Sequence, residues 1–289
     1  MSATLLSAWK AATLRLAEAG VESPAIDARL LVEAAVPVTR ADILTDPYRA
    51  LGEQSAARLE AMIARRARRE PVSLILGVRP FWTLTLGVRP GVLTPRPETE
   101  TVLDVVLPAF AADQAFEALD LGVGSGALLL ALLAERPLAR GLGVDSSQEA
   151  LAVARDNASR LGLSDRAEFR RGDWTKGLSD EAFDLVVSNP PYIATGEIEG
   201  LAPEVRDYEP RLALDGGPDG LAAYRLLAPE VARVLKGGGR FAVEIGGGQG
   251  VAVSALFAEA GFGAVRIHPD LAGRERVVSG VKKPLGNAE

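Results

Sequence analysis

Phe183-Asp184-Leu185-Val186-Val187-Ser188-Asn189-Pro190-Pro191-Tyr192-Ile193 begins as a short apolar run rich in β-branched residues and runs into two prolines. A run of that kind is how a strand buried on both faces of a parallel sheet reads. The prolines stop it, because they donate no ladder hydrogen bonds and lock φ. Asn189 and the carbonyls around it are therefore held at the strand's C-terminal end in a stiff, non-helical turn. Ligands of open α/β sheets bind at that end. The other reading of the same residues is a plain proline-terminated strand whose tyrosine anchors the loop.

Outward from this stretch the chain alternates strands and helices. Residues 116–121 read as a strand followed by Gly122-Val123-Gly124-Ser125-Gly126 and an Ala/Leu-rich helix. Residues 139–145 form a second strand ending in Asp145, residues 147–161 a helix stopped by Gly162, and residues 167–171 a third strand leading to Gly172-Asp173-Trp174. Beyond the opening stretch come a helix over 221–235, a strand over 239–246 and a helix over 252–260. Residues 264–268 and 277–282 are strands close enough in sequence to pair antiparallel. Such alternation implies a parallel sheet with right-handed crossovers.

The N-terminal part has helical periodicity. Leu5, Trp9, Ala12 and Leu16 mark a helix over 4–19 closed by Gly20. Ser23 before Pro24 reads as an N-cap with proline at the first helical position, opening a helix through Ile26, Leu30, Leu31 and Ala34. Thr39 with Asp42 resembles a capping box starting a short third helix. A longer helix over 54–69 turns Leu59, Met62 and Ile63 inward and ends in Arg65-Arg66-Ala67-Arg68-Arg69, cations favoured at a helix C-terminus by the macrodipole and by solvation. Residues 81–86 alternate apolar and polar residues before Gly87 and Gly91, as in a hairpin. Leu93-Thr94-Pro95-Arg96-Pro97-Glu98-Thr99-Glu100 is a rigid proline-flanked turn feeding a helix with an acidic first turn. These signals divide the chain into a helical domain (1–75), a hairpin linker (76–95) and a strand-helix domain (96–289).

Composition narrows the chemistry. With 289 residues, 48% hydrophobic and 24% charged, this is an ordinary globular chain able to bury a sizeable core. No apolar run approaches the ~20 residues that span a bilayer, and the N-terminal stretch lacks a signal pattern, so a cytoplasmic location is the expected default. There is no cysteine, which removes disulfides, thiolate nucleophiles and cysteine metal sites. The single histidine, His268, would have to carry any Ser-His-Asp hydrolase, and a zinc site would need carboxylates throughout. No metal is expected. The net charge is −6, with a surplus of +2 over residues 1–80 and a deficit of −8 over the rest. Proteins that grip a phosphate backbone more often carry a basic surplus, so a direct nucleic-acid substrate is not expected.

Three consecutive strand ends point to a cofactor. Glycines 122, 124 and 126, after a buried strand and before a helix, let backbone approach a ligand at a helix N-terminus, with Val123 and Ser125 between them. The pattern departs from the dinucleotide form G-x-G-x-x-G. Asp145 ends the next strand, where a carboxylate can accept both hydroxyls of a ribose. Asp173 and Trp174 offer an acceptor for an exocyclic amine and a flat ring beside an adenine.

This set resembles the seven-stranded, Rossmann-like S-adenosylmethionine-dependent methyltransferases. Asn189-Pro190-Pro191-Tyr192 resembles the amino-methyltransferases acting on planar, conjugated nitrogens: adenine-N6, cytosine-N4 and protein glutamine-N5 enzymes. Along nearly its whole length the chain is similar to the HemK/PrmC family of release factor glutamine methyltransferases. The likeness is carried by Asp27-Ala28-Arg29-Leu30-Leu31, Pro71 to Gly77 with Phe81-Trp82, Val92 to Glu100, Leu119 to Gly126, Phe183 to Ile193, Glu209-Pro210 with Leu212 to Leu214, and Asp270 to Val278. Val123 stands where the family usually has Thr, and Glu98 where Asp is frequent.

The resemblance implies a methyl transfer from S-adenosylmethionine, leaving S-adenosylhomocysteine, to the glutamine of the Gly-Gly-Gln motif in class I peptide chain release factors. Asn189 Oδ1 and the Pro190 carbonyl are suited to accept the two N–H bonds of that amide, with Tyr192 against its plane. Asn189, Pro190 and Tyr192 are the expected catalytic residues, and Pro191, Arg96 and Glu100 join them in binding the substrate. Gly122, Val123, Gly124, Ser125, Gly126, Asp145, Asp173, Trp174 and Asn189 are expected to hold the cofactor, and the helical domain to grip the release factor. The alternatives are a ribosomal-protein glutamine methyltransferase and an adenine-N6 nucleic-acid methyltransferase. Gly247-Gly248-Gln249 spells the substrate tripeptide within this chain, and a Gly-rich turn opening a helix is its simpler reading.

Overall fold

A computed structural model describes residues 3–284. The chain forms two compact units: one runs to Val78 and takes in Ala202–Tyr208, the other comprises Arg79–Leu201 and continues from Glu209.

In the first unit, α1 (Leu5–Glu18), α2 (Pro24–Ala35), α3 (Arg40–Thr45), α4 (Glu53–Ala67) and α5 (Val72–Leu76) pack around Leu5, Leu16, Leu31, Val32, Leu59 and Ile63. Reciprocal capping boxes start α1 at Thr4 with Ser7 and α3 at Thr39 with Asp42. Two expectations fail here. Ser23 makes no side-chain cap, so Pro24 alone marks the start of α2. The buried stripe of α2 is Ala28, Leu31, Val32 and Ala35, and Ile26 is exposed, because the i, i+3, i+4, i+7 face that meets the core begins two residues later than read.

The arginine run at the end of α4 is not a solvated cluster. Arg66 is buried and donates from Nε to Asp27 Oδ2 at 2.7 Å and from Nη2 to Glu204 Oε1 at 2.9 Å. Arg69 forks onto both oxygens of Glu204 at 2.7 Å each. Arg65 pairs with Glu70, and the Arg68 carbonyl accepts the Tyr208 hydroxyl at 2.7 Å. Two planar forks sharing one carboxylate is a geometry arginine supports and lysine does not.

Leading into the second unit, β1 (Val78–Phe81) and β2 (Leu84–Gly87) form the expected hairpin. Its turn places Trp82 at φ 53, where the backbone N–H reaches Glu100 Oε1 at 2.8 Å and the indole N–H reaches Glu135 Oε1 at 2.9 Å. There follow α6 (Glu100–Val106), β3 (Glu117–Leu121), α7 (Ala127–Glu135), β4 (Arg140–Asp145), α8 (Gln148–Arg160), β5 (Ala167–Arg171) and β6 (Phe183–Ser188). The chain continues through α9 (Pro203–Arg206), whose segment belongs to the first unit, then α10 (Ala222–Val234), β7 (Leu235–Glu244), α11 (Gly250–Glu259), β8 (Phe262–Pro269) and β9 (Glu275–Lys282).

The seven-stranded sheet has the order β5-β4-β3-β6-β7-β9-β8, parallel except where β9 pairs with β7 and β8. Both faces are covered. Ala118, Leu185 and Val187 face a core with α6, α7 and α8, while Leu119, Leu121 and Val186 face one with α10 and α11. This period-two sorting is why the central strands read as continuous apolar runs. Residues 127–133 of α7 are all buried, and each buried leucine among them contributes about 2 kcal/mol.

Candidate active site

β3 and β6 are neighbours in register, Leu121 opposite Ser188, and the strand order reverses between them. The loops leaving them, residues 122–126 and 189–192, therefore start side by side at the carboxyl edge of the sheet. Ser188 Oγ donates to the Leu121 carbonyl at 2.6 Å and locks the two ends together. A Cβ on Gly122 would stand 3.8 Å from the Trp174 ring and 4.0 Å from the Asn189 carbonyl oxygen, so the three strand ends converge on one place.

That place is a cleft of about 460 Å³. Of the expected residues, Gly122, Val123, Gly124, Ser125, Asp145, Asp173, Trp174, Asn189, Pro191 and Arg96 line it. Gly126, Pro190, Tyr192 and Glu100 are not among the lining residues. Gly126 sits at φ 86 as the N-cap of α7, and a Cβ there would meet Leu130 at 2.9 Å, so this glycine serves the packing of α7. Pro190 is buried. The Tyr192 ring packs against the core shared with α10 and α11, and its hydroxyl donates to Glu244 Oε1 at 3.3 Å. Burial and the nearby Glu244 push that phenol well above its ordinary value.

Much of the glycine loop's hydrogen bonding is internal. The N–H groups of Gly122 and Val123 go to the Val144 carbonyl at 2.9 and 3.0 Å, and that of Gly124 to Asp145 Oδ2 at 2.9 Å. Asp145 Oδ1 receives the Ser147 N–H at 2.9 Å. Asp145 thus pins the loop while each of its oxygens keeps a lone pair for a hydroxyl. Asp173 is exposed and paired with Lys176.

Four polar residues to which the sequence reading gave no role complete the cleft or its support. Asp120, 1% exposed, accepts the Leu129 N–H with Oδ2 and has no partner at Oδ1; burial raises its carboxyl to about 7. Glu209, buried, accepts the Thr94 N–H at 3.1 Å and Arg96 Nη2 at 2.8 Å, which holds Arg96 at the cleft wall. Thr99, buried in the wall, accepts Asn189 Nδ2 at 3.1 Å. Glu244 ends β7 beside the end of β6, and burial raises it to about 7. The available signal was an acid within or closing an apolar strand, as in Leu119-Asp120-Leu121 and Val243-Glu244-Ile245.

Gln249 is the N-cap residue of α11, and its carboxamide is saturated. Nε2 donates to the Tyr192 carbonyl at 2.9 Å and the Gly220 carbonyl at 3.3 Å, and Oε1 accepts the Gly246 N–H at 2.9 Å. This glutamine holds the loop after β6 in place.

The chemistry of the lining fits S-adenosylmethionine. A buried acid with an orphaned oxygen suits an ammonium group, since an unpaired buried acceptor costs free energy that a donor recovers. Asp145 suits the ribose, and the Trp174 ring suits the purine.

Comparison with known proteins places both parts of the chain. The family model described as the PrmC N-terminal domain matches residues 7–77, and one described as a methyltransferase domain matches residues 112–263. The chain is 61% identical over 285 residues, 99% of both chains, to a Caulobacter vibrioides protein named release factor glutamine methyltransferase. It is 46% identical over 275 residues to a Cereibacter sphaeroides protein of the same name, covering 94% of this chain and 96% of that one. Among solved structures, a methyltransferase from Pyrococcus furiosus shares the fold at a TM-score of 0.50 and 18% identity, over 78% of this chain and 98% of that one.

Proposed function

The chain belongs to the release factor glutamine methyltransferase family, and from that premise we propose that it methylates the side-chain N5 of the glutamine in the Gly-Gly-Gln motif of class I peptide chain release factors. It is an S-adenosylmethionine-dependent glutamine methyltransferase. The observation that carries the proposed substrate is a likeness extending through the helical unit as well as the catalytic one.

Bound S-adenosylmethionine supplies an electrophilic sulfonium methyl, held by Asp120, Asp145, Trp174 and the loop from Gly122. The residues of this chain orient the nucleophile. A glutamine nitrogen is a weak nucleophile, because its lone pair is shared with the carbonyl. With Asn189 Nδ2 turned to Thr99, Oδ1 is left to accept one N–H of the substrate amide. The Pro190 carbonyl accepts the other. Pro190 and Pro191 have no N–H, so this part of the loop offers acceptors only. Two acceptors aim the lone pair, an orientation effect of several kcal/mol, and they favour the transition state in which the nitrogen gains positive charge. The N-methylated amide cation is acidic enough to release its proton to water, so no strong base is needed. Tyr192 stiffens the loop under the amide plane. Arg96, steadied by Glu209, binds a substrate carbonyl, and Glu100, bonded to Trp82, supports that turn. The helical unit binds a second face of the release factor. Among the described residues no helix is long and apolar enough to cross a membrane, and the work is done in the cytoplasm, where release factors act.

Radiolabelled methyl transfer to purified release factor tests this reading. Label is expected on the intact factor and none on a factor whose motif glutamine is replaced. Label that persists after the replacement, or that falls only on nucleic acid or ribosomal protein, overturns it.

A further inference from the structure

Helix α8 buries Ala150, Leu151, Val153, Ala154, Asn157 and Ala158 along one face, so an asparagine stands in an otherwise apolar stripe. A side chain of this kind, 1% exposed in a helix interior, costs free energy unless its two donors and its acceptor are met. They are met by backbone and by one neighbouring cation. Oδ1 accepts the Gly87 N–H at 2.7 Å and Arg160 Nη2 at 3.1 Å, while Nδ2 donates to the Gly87 carbonyl at 3.1 Å and the Ser125 carbonyl at 2.9 Å. Two donors on one side and two carbonyls on the other fix which end of the carboxamide is the oxygen.

Asn157 thus joins two backbone segments. Gly87 closes β2 of the hairpin and does not line the cleft, whereas Ser125 belongs to the glycine loop and does. A Cβ on Gly87 would stand 2.5 Å from Arg160 Nη2 and 3.1 Å from Asn157 Oδ1, so the hairpin backbone comes this close only where no side chain intervenes. On the loop side the bond acts on one peptide plane. The carbonyl of Ser125 and the N–H of Gly126 belong to the same trans peptide and point opposite ways. The first goes to Asn157 and the second to the Val123 carbonyl at 2.8 Å. Gly124 and Gly126 flank that plane at φ 54 and 86, and glycine permits other orientations of it at little steric cost. Ser125 is 3% exposed, so a plane turned away from α8 would strand a buried carbonyl.

We propose that Asn157 is a positioning residue for the cofactor loop. It makes the binding turn of Gly124–Gly126 depend on the seating of β2 at Gly87, so the hairpin is part of the cofactor site although neither Gly87 nor Asn157 lines the cleft. This role rests on the cleft holding S-adenosylmethionine, as read above. The coupling is reciprocal: contacts of Asn157 that strengthen cofactor binding by some factor are themselves strengthened by bound cofactor to the same extent.

The test is amide hydrogen exchange and side-chain ¹⁵N signals of the full chain, with and without saturating S-adenosylhomocysteine. The sequence has three asparagines, Asn157, Asn189 and Asn287, so asparagine-selective labelling with Asn189→Ala and Asn287→Ala assigns the Asn157 NH₂ pair while leaving Asn157 in place. Cofactor is expected to move that pair, and to slow exchange at the Gly87 amide by a larger factor than at the amides of β8, at the far edge of the sheet. In calorimetry Asn157→Ala is expected to weaken S-adenosylhomocysteine binding roughly 10- to 100-fold, the scale of the donor bonds lost. Asn157→Asp keeps the volume and the acceptor but loses both donors, and is expected to weaken binding at least as much. A packing role alone would leave its affinity near that of the unsubstituted protein, and affinity within about twofold in a folded Asn157→Asp overturns the proposal. If neither variant folds, exchange in the unsubstituted protein decides, and a Gly87 amide slowed no more than those of β8 overturns it. The cofactor reading fails separately: it falls if S-adenosylhomocysteine leaves the amides of Gly122, Gly124 and Trp174 unmoved, whereas movement there with Gly87 unaffected sinks the coupling alone.

Discussion

Glu204 in the first unit and Glu244 in the second are both carboxyls turned away from water, and their surroundings drive them in opposite directions. Burial pushes Glu204 up, but hydrogen bonds from Arg69 and Arg66 outweigh it and bring the carboxyl down to about 2. Burial dominates at Glu244, where hydroxyls and a more distant Arg276 leave it near 7. The first unit matches its buried charge with cations and so uses it for cohesion. The second leaves carboxyls at its strand ends under-compensated, Asp120 as well as Glu244, at the edge where the cleft opens. Perturbed groups of that kind gather at functional sites.

The contrast breaks most directly at Asn189. Asn189→Ala is expected to lower kcat roughly 10²- to 10³-fold, as loss of a preorganised polar group does, while leaving S-adenosylmethionine affinity within about tenfold. Full activity in this variant would remove Asn189 from the chemistry.

A smaller effect is expected at Asp145, which ties Gly124 and Ser147 together and faces the ribose. Asp145→Ala should weaken cofactor binding about 10- to 100-fold in isothermal calorimetry, the scale of two bonds to a charged group. Unchanged affinity would assign Asp145 to loop architecture alone.

The first unit answers differently. Glu204→Gln should destabilise the bundle by about 2 kcal/mol, seen as faster amide hydrogen exchange in α4, with kcat unaltered. The sign with pH follows from the folded-state value. Glu204 lies below its ordinary 4.5, so its contribution is present above that pH and is lost as pH falls toward about 2. Glu244 lies above its ordinary 4.5, so its contribution is present below that pH and is lost as pH rises through about 7. A Glu204→Gln variant whose acid unfolding matches that of the unsubstituted protein would erase the contrast.

The smallest effect is expected at His268, whose Nε2 is 2.8 Å from Ser279 Oγ on the neighbouring strand β9. His268→Ala should leave methyl transfer within about twofold, in keeping with a mechanism that needs no imidazole. A large loss of kcat would show that a base had been overlooked.

Strand and helix order was legible because the parallel strands are apolar on both faces and the helices carry their own caps. The 183–188 run, the Thr39 box and the glycine stop after residue 161 each signal within a few residues. The converging loops were legible for the same reason, since glycine and proline fix backbone conformation locally. The charged pairings were not. Arg66 reads as one of four arginines in five residues, and nothing nearby says that Asp27 and Glu204 neutralise it. Glu100 and Arg96 stand in one motif, yet Glu100 bonds to Trp82 while Arg96 bonds to Glu209, 113 residues away in sequence.

By itself the sequence determined the elements, their alternation, the strand ends that carry Asn189, Asp145 and Trp174, and the likeness to a family. The direction in which the Asn189 amide faces was decided only by the tertiary structure. A hydrogen bond needs both partners in place, and Thr99 and Asn189 stand 90 residues apart on separate elements that meet only when the sheet is assembled.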